Sequence, residues 1–192
     1  HEIGVNATAE GADKTAFELA SVVSETAKML RREGIEIEHA SVGASSTFRF
    51  TCRYIKEKRL PEITEIHPGS CVVGGMIYVT NGSMTEDQCA LTVLAGVMST
   101  SHSDHAVLDV GSKTLGADCI IARRDTPGFF WEGKPSYGSV RGRPDLWLGR
   151  LSNETSCVYY TKPKRELTIG DRLEIIPNNS MIVINIHDRL YG

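Results

Sequence analysis

Residues 35–48 read Ile-Glu-Ile-Glu-His-Ala-Ser-Val-Gly-Ala-Ser-Ser-Thr-Phe. Ile35 and Ile37 begin a short strand, which runs into a string of small residues from Ala40 to Thr47. Immediately before it lies the clearest helix signal in the chain, over residues 13–33. Ala16, Leu19, Ala20, Val23, Ala27 and Leu30 recur at helical spacing and line one face. Asp13 is the expected N-cap, Lys28, Arg31 and Arg32 crowd the last turn, and Gly34 follows as the C′ residue. A helix feeding a strand that ends in small residues is the αβ half of an α/β unit.

The same stretch is the first chemical candidate. Gly43 allows a backbone to approach an anion closely, and Ser45, Ser46 and Thr47 add hydroxyl donors. A helix over Phe48–Ile55 would aim its free N–H groups at the same spot. An ordinary strand-to-helix turn has this composition too.

Beyond residue 60 the pattern changes. Strand-like runs cover Ser70–Val73, Met76–Val79, Ala106–Val110, Leu146–Leu151, Cys157–Tyr160, Arg172–Ile176 and Met181–Ile186, punctuated by Gly, Pro and Asn. Leu91–Met98 reads either as a buried strand or as a helix behind a capping box at Ser83-Met84-Thr85-Glu86. Residues 124–145, rich in Gly, Pro and Arg, read as a long surface loop. The expected fold class is α/β plus β: a short α/β piece, then a mostly antiparallel β domain of about 120 residues.

Composition closes several classes. The chain has 192 residues, 41% hydrophobic and 23% charged, with a net charge of −3, so it is neither a disordered tail nor a bulk-charge nucleic-acid binder. No run of about 18 apolar residues is present, so no bilayer-spanning helix is expected, and no basic start leads into an apolar run. The five cysteines, Cys52, Cys71, Cys89, Cys119 and Cys157, form no CxxC pair and read as mostly buried free thiols in a reducing compartment, the cytoplasm. The first residue is His1, not Met, so the chain is read as a processed or trimmed product or a piece of something longer.

Other candidates have everyday alternatives. Lys113, in Gly111-Ser112-Lys113, is a reactive amine, a partner for Asp109, or a solvated turn lysine. His187 beside Asp188 is an oriented general base or a hydrogen-bonded histidine at a strand end. Phe129, Phe130, Trp131 and Tyr137 line a pocket or an interface. No HxH, HExxH or EF-hand spacing is present.

In order along the chain, several motifs resemble the C-terminal half of the D-serine dehydratase/D-threonine aldolase-like enzymes, which have an alanine-racemase-type fold and use pyridoxal phosphate (PLP). They are Val42-Gly43-Ala44-Ser45-Ser46-Thr47, Glu65-Ile66-His67-Pro68-Gly69, Cys89-Ala90-Leu91-Thr92-Val93-Leu94-Ala95, Leu108-Asp109-Val110-Gly111-Ser112-Lys113-Thr114-Leu115, Gly170-Asp171-Arg172, Ile176-Pro177-Asn178 and Asn185-Ile186-His187-Asp188.

The resemblance implies that residues 1–64 are the end of a PLP-binding (β/α) barrel and residues 65–192 the family's β domain. Gly43, Ala44, Ser45, Ser46 and Thr47 would hold the cofactor phosphate, and His187 and Asp188 would serve the chemistry. The family's Schiff-base lysine lies early in the barrel, and Lys113 does not match it. The chain would therefore be part of a lyase, a dehydratase or aldolase, acting on D-hydroxy amino acids, with a missing N-terminal half supplying the lysine. A homodimer or a second chain would complete it, with no nucleic acid or membrane partner. Metal-dependent members carry a His and a Cys or Asp just after the Pro of the turn at 177–181. Asn179 and Met181 stand there, so zinc is not expected. The family's Glu-Glu-His reads Asn153-Glu154-Thr155. The alternative reading is a non-catalytic β-rich binding module that kept the fold and lost the chemistry.

Overall fold

The computed structural model describes residues 8–119, 129–162 and 166–192. The chain divides into two compact units, one of residues 1–72 with 81–83, the other of residues 73–80 with 84–192.

The first unit starts with helix α1 (Ala9–Arg32). Its N-cap is Thr8, whose hydroxyl accepts the Gly11 N–H, rather than the expected Asp13. Asp13 lies one turn inside, because its carboxylate has stronger partners there: Arg53 donates to it at 2.6 and 2.7 Å, and the Tyr54 hydroxyl also donates to it. The C-terminus follows the sequence reading. Gly34 takes φ +80°, its N–H donates to the Arg31 carbonyl, and the Ile35 N–H donates to Leu30, which is a Schellman closure.

Ala12, Ala16, Ala20, Ser24 and Ala27 form the buried face of α1, whereas Leu19, placed on the apolar stripe by its spacing, is 53% exposed. Small residues let the neighbouring backbone close in, so the buried stripe runs along the alanines. Strand β1 (Ser41–Val42), helix α2 (Phe48–Lys56) and strand β2 (Glu65–Ile66) complete a βαβ unit, with β1 and β2 parallel. Tyr54, Leu60 and Ile63 join Ala16 and Ala20 in its core.

The second unit contains helix α3 (Met76–Thr80), strands β3 (Val93–Ser99) and β4 (His105–Leu108), helix α4 (Ser112–Leu115), the short hairpin β5 (Phe130–Trp131) and β6 (Lys134–Pro135), strands β7 (Gly138–Val140), β8 (Leu146–Leu151), β9 (Ser156–Tyr160) and β10 (Arg172–Pro177), and helix α5 (Ser180–Ile186). Six strands form one antiparallel sheet in the order β7-β10-β3-β4-β9-β8. Its two ends nearly meet. Just before β7, the Tyr137 N–H donates to Leu148 O of β8, and the buried Ser136 hydroxyl accepts the Leu148 N–H while its proton lies between Gly138 O at 2.5 Å and Leu148 O at 3.0 Å. The sheet is thus close to a barrel. Alternate residues point inward, among them Ala95, Val97, Ala106, Leu108, Leu148, Val158, Leu173 and Ile175.

Three expected strands are helical. Ser70–Val72 is a 3-10 turn, Met76–Thr80 is α3, and Ser180–Ile186 is α5. Each is a short apolar run, and periodicity alone does not separate a buried strand from a buried helical turn. The capping box forms two residues later than read, between Thr85 and Gln88, and opens only a 3-10 turn over Glu86–Gln88. Leu91–Met98 resolves as the strand alternative, within β3. Of the long loop read over 124–145, residues 124–128 lie outside the described residues, and much of the rest forms β5, β6 and β7.

Candidate functional site

In the first unit, the segment 43–47 links β1 to α2. Gly43 is required there for packing: a Cβ would sit 2.7 Å from the His67 carbonyl oxygen at the end of β2. The absent side chain thus brings β1 against β2, rather than opening a path to an anion as the composition suggested. Thr47 is buried, and its hydroxyl leans on the Ala44 carbonyl at 3.4 Å, so it faces the turn and not solvent. The Thr47 and Phe48 N–H groups also return to Ala44 O.

Ser45 is different. Its oxygen accepts the N–H groups of Gly69 and Cys71 at 3.1 and 3.2 Å, and the Ser70 hydroxyl donates to it. With its oxygen occupied as an acceptor, the Ser45 proton remains available for donation. Among the described residues, the N–H groups of Ser45, Ser46 and Arg49 have no backbone acceptor. No acidic residue stands in the first turn of α2. Uncommitted N–H groups, a hydroxyl proton and the positive end of a nine-residue helix share one turn, which is the chemistry of an anion cradle. An apolar pocket of about 360 Å³ lies alongside, lined by Ala16, Ala20, Val23, Val42, Gly43 and Thr47. Neither Ser45 nor Ser46 lines it.

In the second unit the sheet ends in Pro177-Asn178-Asn179, and α5 follows. The buried Asn178 amide donates to the carbonyls of Asp118 and Ser136 at 2.6 and 2.9 Å. Its own carbonyl oxygen and the Ser180 hydroxyl are buried without a partner among the described residues. The Asn179 side chain is engaged at both ends: Oδ1 accepts the Met181 N–H and caps α5, while Nδ2 donates to Asp118 Oδ2 at 2.9 Å. Met181 is exposed. The turn itself therefore presents a thioether, and beside it the Asp118 carboxylate, already bonded to Asn179, a poor donor set for a hard or borderline metal ion.

His187 stands just past α5. Its Nδ1 donates to the Val183 carbonyl at 2.7 Å, which fixes the tautomer and leaves a lone pair on Nε2. Asp188 is exposed and makes no hydrogen bond to His187. An Asp-oriented dyad is not formed; a helix carbonyl orients the ring instead.

Lys113 pairs with Glu154, not with Asp109, whose carboxylate accepts the Gly96 N–H at 2.7 Å. The Gly111-Ser112-Lys113 motif has a backbone purpose. A Cβ on Gly111 would lie 2.5 Å from the carbonyl oxygens of Ser152 and Asn153, and the Ser112 and Lys113 N–H groups donate to those same oxygens. The motif docks the start of α4 on the β8–β9 turn. Nor do the predicted aromatics form one patch: Phe129 is buried with Met76, Cys89 and Ile176, while Trp131 packs on Trp147 and Tyr159.

Residues 90–192 match the family described as "Putative serine dehydratase domain". The chain belongs to this family. It is also 24% identical to a D-threonine aldolase from Arthrobacter sp. over 95% of its own length, which is 43% of that protein. Among solved structures it is similar to D-threonine aldolase from Filomicrobium marinum (22% identity, TM-score 0.75, 98% of this chain and 46% of that one). It is likewise similar to D-threo-3-hydroxyaspartate dehydratase from Delftia sp. HT23 (23% identity, TM-score 0.77, 96% and 49%). A third neighbour is an alanine racemase-like protein from Idiomarina loihiensis (20% identity, TM-score 0.75). The serine dehydratase-domain chain thus has the alanine racemase-like fold expected of it, ending in a mostly antiparallel β domain. It spans less than half the length of these relatives.

Proposed function

We propose that this chain is the C-terminal portion of a PLP-dependent lyase acting on a D-hydroxy amino acid, by dehydration or aldol cleavage. On this reading residues 1–64 are the end of the cofactor-binding barrel, residues 65–192 are the family's β domain, and the lysine that binds the cofactor covalently is encoded outside these residues. The observation that carries it is the turn at 43–47, whose uncommitted donors fit a phosphate dianion.

The N–H groups of Ser45, Ser46 and Arg49, with the Ser45 hydroxyl, hold the phosphate. Ser45 does double duty, since its oxygen ties the 69–71 turn to the cradle. Gly43, Ala44 and Thr47 shape the turn. When bound, PLP supplies an electron-withdrawing ring that stabilises negative charge at the α-carbon of the amino acid. His187, with Nδ1 held by Val183 O, is assigned a proton-transfer role through Nε2; Asp188 contributes local charge. The donors of the 177–181 turn do not suit a metal. A homodimer or a second chain completes the enzyme, and five free cysteines, of which only Cys89 is buried rather than most of them as expected, suit a cytoplasmic setting.

The first test titrates PLP and inorganic phosphate into the protein by calorimetry. Ser46→Glu, which puts an anion where the phosphate sits, is expected to weaken binding of both about tenfold or more, and Ser46→Ala to change it little. Equal affinities in native and Ser46→Glu protein would take the turn out of the site. The second test assays the longest natural product containing these residues for pyruvate from D-serine and acetaldehyde from D-threonine. The rival, a non-catalytic module, draws support from the full engagement of Asn179 in capping and from Lys113 pairing with Glu154. Tight PLP binding with neither product would select it.

A further inference from the structure

The β3–β4 hairpin carries Ser101-His102-Ser103-Asp104-His105. We propose that His102, Asp104 and His105 form a binding site for a divalent late transition-metal ion of the zinc or nickel class. The proposal rests on neither PLP nor the 177–181 turn.

Each of the three side chains offers one ligand atom, and these atoms all lie within 4.8 Å of one another. His105 Nδ1 and Asp104 Oδ1 are 2.8 Å apart. Two adjacent ligands on a metal with bonds of about 2.0–2.1 Å stand about 2.9 Å apart at the right angle of an octahedral site and about 3.3 Å apart at a tetrahedral one, so the pair is within a small side-chain adjustment of a chelating bite. The metal would replace the single proton now shared between them. The His102 ring lies parallel to that of His105, with centroids 4.2 Å apart and planes 15° apart, and needs only side-chain rotation to bring a nitrogen to the same centre.

The hairpin is held in place by other bonds. The Tyr160 N–H donates to the Asp104 carbonyl at 2.9 Å, and the Ser99 and Ser101 hydroxyls bond to each other where the chain leaves β3. His105 is backed by the Tyr159 ring at 5.0 Å, so one wall is aromatic and fixed. His102 and Asp104 are exposed, which leaves the remaining coordination positions to water. Asp104 supplies a carboxylate oxygen beside the His105 ring nitrogen. Two imidazoles and one carboxylate select zinc, nickel or copper over calcium and magnesium, which want all-oxygen shells.

The protein contains its own reporter. Its two tryptophans, Trp131 and Trp147, both pack in the cluster with Tyr159, against which His105 rests. Chelator-treated protein is titrated with NiCl2 while tryptophan emission is read, and with ZnCl2 by calorimetry. Saturable quenching at one equivalent, with a matching zinc isotherm, is expected. His102→Ala/His105→Ala should weaken both at least about tenfold while all five thiols remain. His39→Ala/His67→Ala should leave them unchanged. If the double variant misfolds by circular dichroism, exposed His102→Ala alone carries the comparison, with the same expected direction. Undiminished binding in the His102 variants, or loss in the His39/His67 variant instead, overturns the proposal. A PLP titration that fails while the metal titration succeeds rejects the cofactor reading alone.

Discussion

Gly111→Ala tests whether the Gly-Ser-Lys motif is backbone architecture or lysine chemistry. The native φ at Gly111 is −136°, so alanine has no backbone objection to the site. Its Cβ, however, would meet Ser152 O and Asn153 O at 2.5 Å and the Asn153 carbonyl carbon at 2.6 Å. All three are backbone atoms, so no rotamer change relieves the contact. The β8–β9 turn must move away, and with it the acceptors of the Ser112 and Lys113 N–H groups, now at 2.8 and 3.1 Å. Losing two such hydrogen bonds costs about 1–3 kcal/mol. Overpacking adds about 1–3 kcal/mol. The reduced entropy of the unfolded chain returns about 0.4–1 kcal/mol. The net expectation is a loss of about 3 kcal/mol, read as a fall of roughly 10 °C in Tm for a chain of this size. Lys113→Ala, whose ion pair with Glu154 is largely exposed, should leave the transition unchanged within error. Denaturation in urea, followed by circular dichroism, measures both variants. A Gly111→Ala midpoint within about 1 kcal/mol of native, or a larger effect from Lys113→Ala, would refute the reasoning.

Ser136→Ala should cost about 1–3 kcal/mol in the same assay, because it strips the acceptor from the buried Leu148 N–H and a donor from the Gly138 carbonyl where the sheet closes. Asn179→Ala removes the α5 cap and the bond to Asp118, and should cost about 1–2 kcal/mol without altering metal binding at the β3–β4 hairpin. Asp13 gives the first unit an acid-sensitive contact. The Arg53 guanidinium hydrogen-bonded to it, helped by Tyr54, holds the carboxyl below its ordinary value of 3.8, against a smaller desolvation effect. A depressed folded-state value means stability is present above about pH 4 and is lost as pH falls through it. Asp13→Asn should therefore flatten the stability profile as pH falls below about 4, and an unchanged slope would sink that account.

Local chemistry was readable without coordinates. The helix ending at Gly34, the turn into a second helix at Phe48 and the strand-rich remainder follow from periodicity, glycine placement and apolar alternation, which are properties of neighbours in sequence. The ordered motifs also carried the family. Short apolar segments were misread: Met76–Val79 and Met181–Ile186 took helical turns, since four to six residues do not declare a period. Asp13 has the residue type of a cap but does not cap, because its partners, Arg53 and Tyr54, lie 40 and 41 residues away.

The sequence by itself determined where the chain bends, which residues are small enough for close approach, and which family it joins. Only the tertiary structure decided what those residues do. Gly43 and Gly111 make room for backbone carbonyls, Lys113 finds Glu154, His187 takes its orientation from Val183, and Trp131, Trp147, Tyr159 and the paired histidines gather in one place. The physical reason is that hydrogen bonds and packing act over a few ångströms in space. Antiparallel pairing brings β4 beside β9, some fifty residues on, with a register that no local pattern contains.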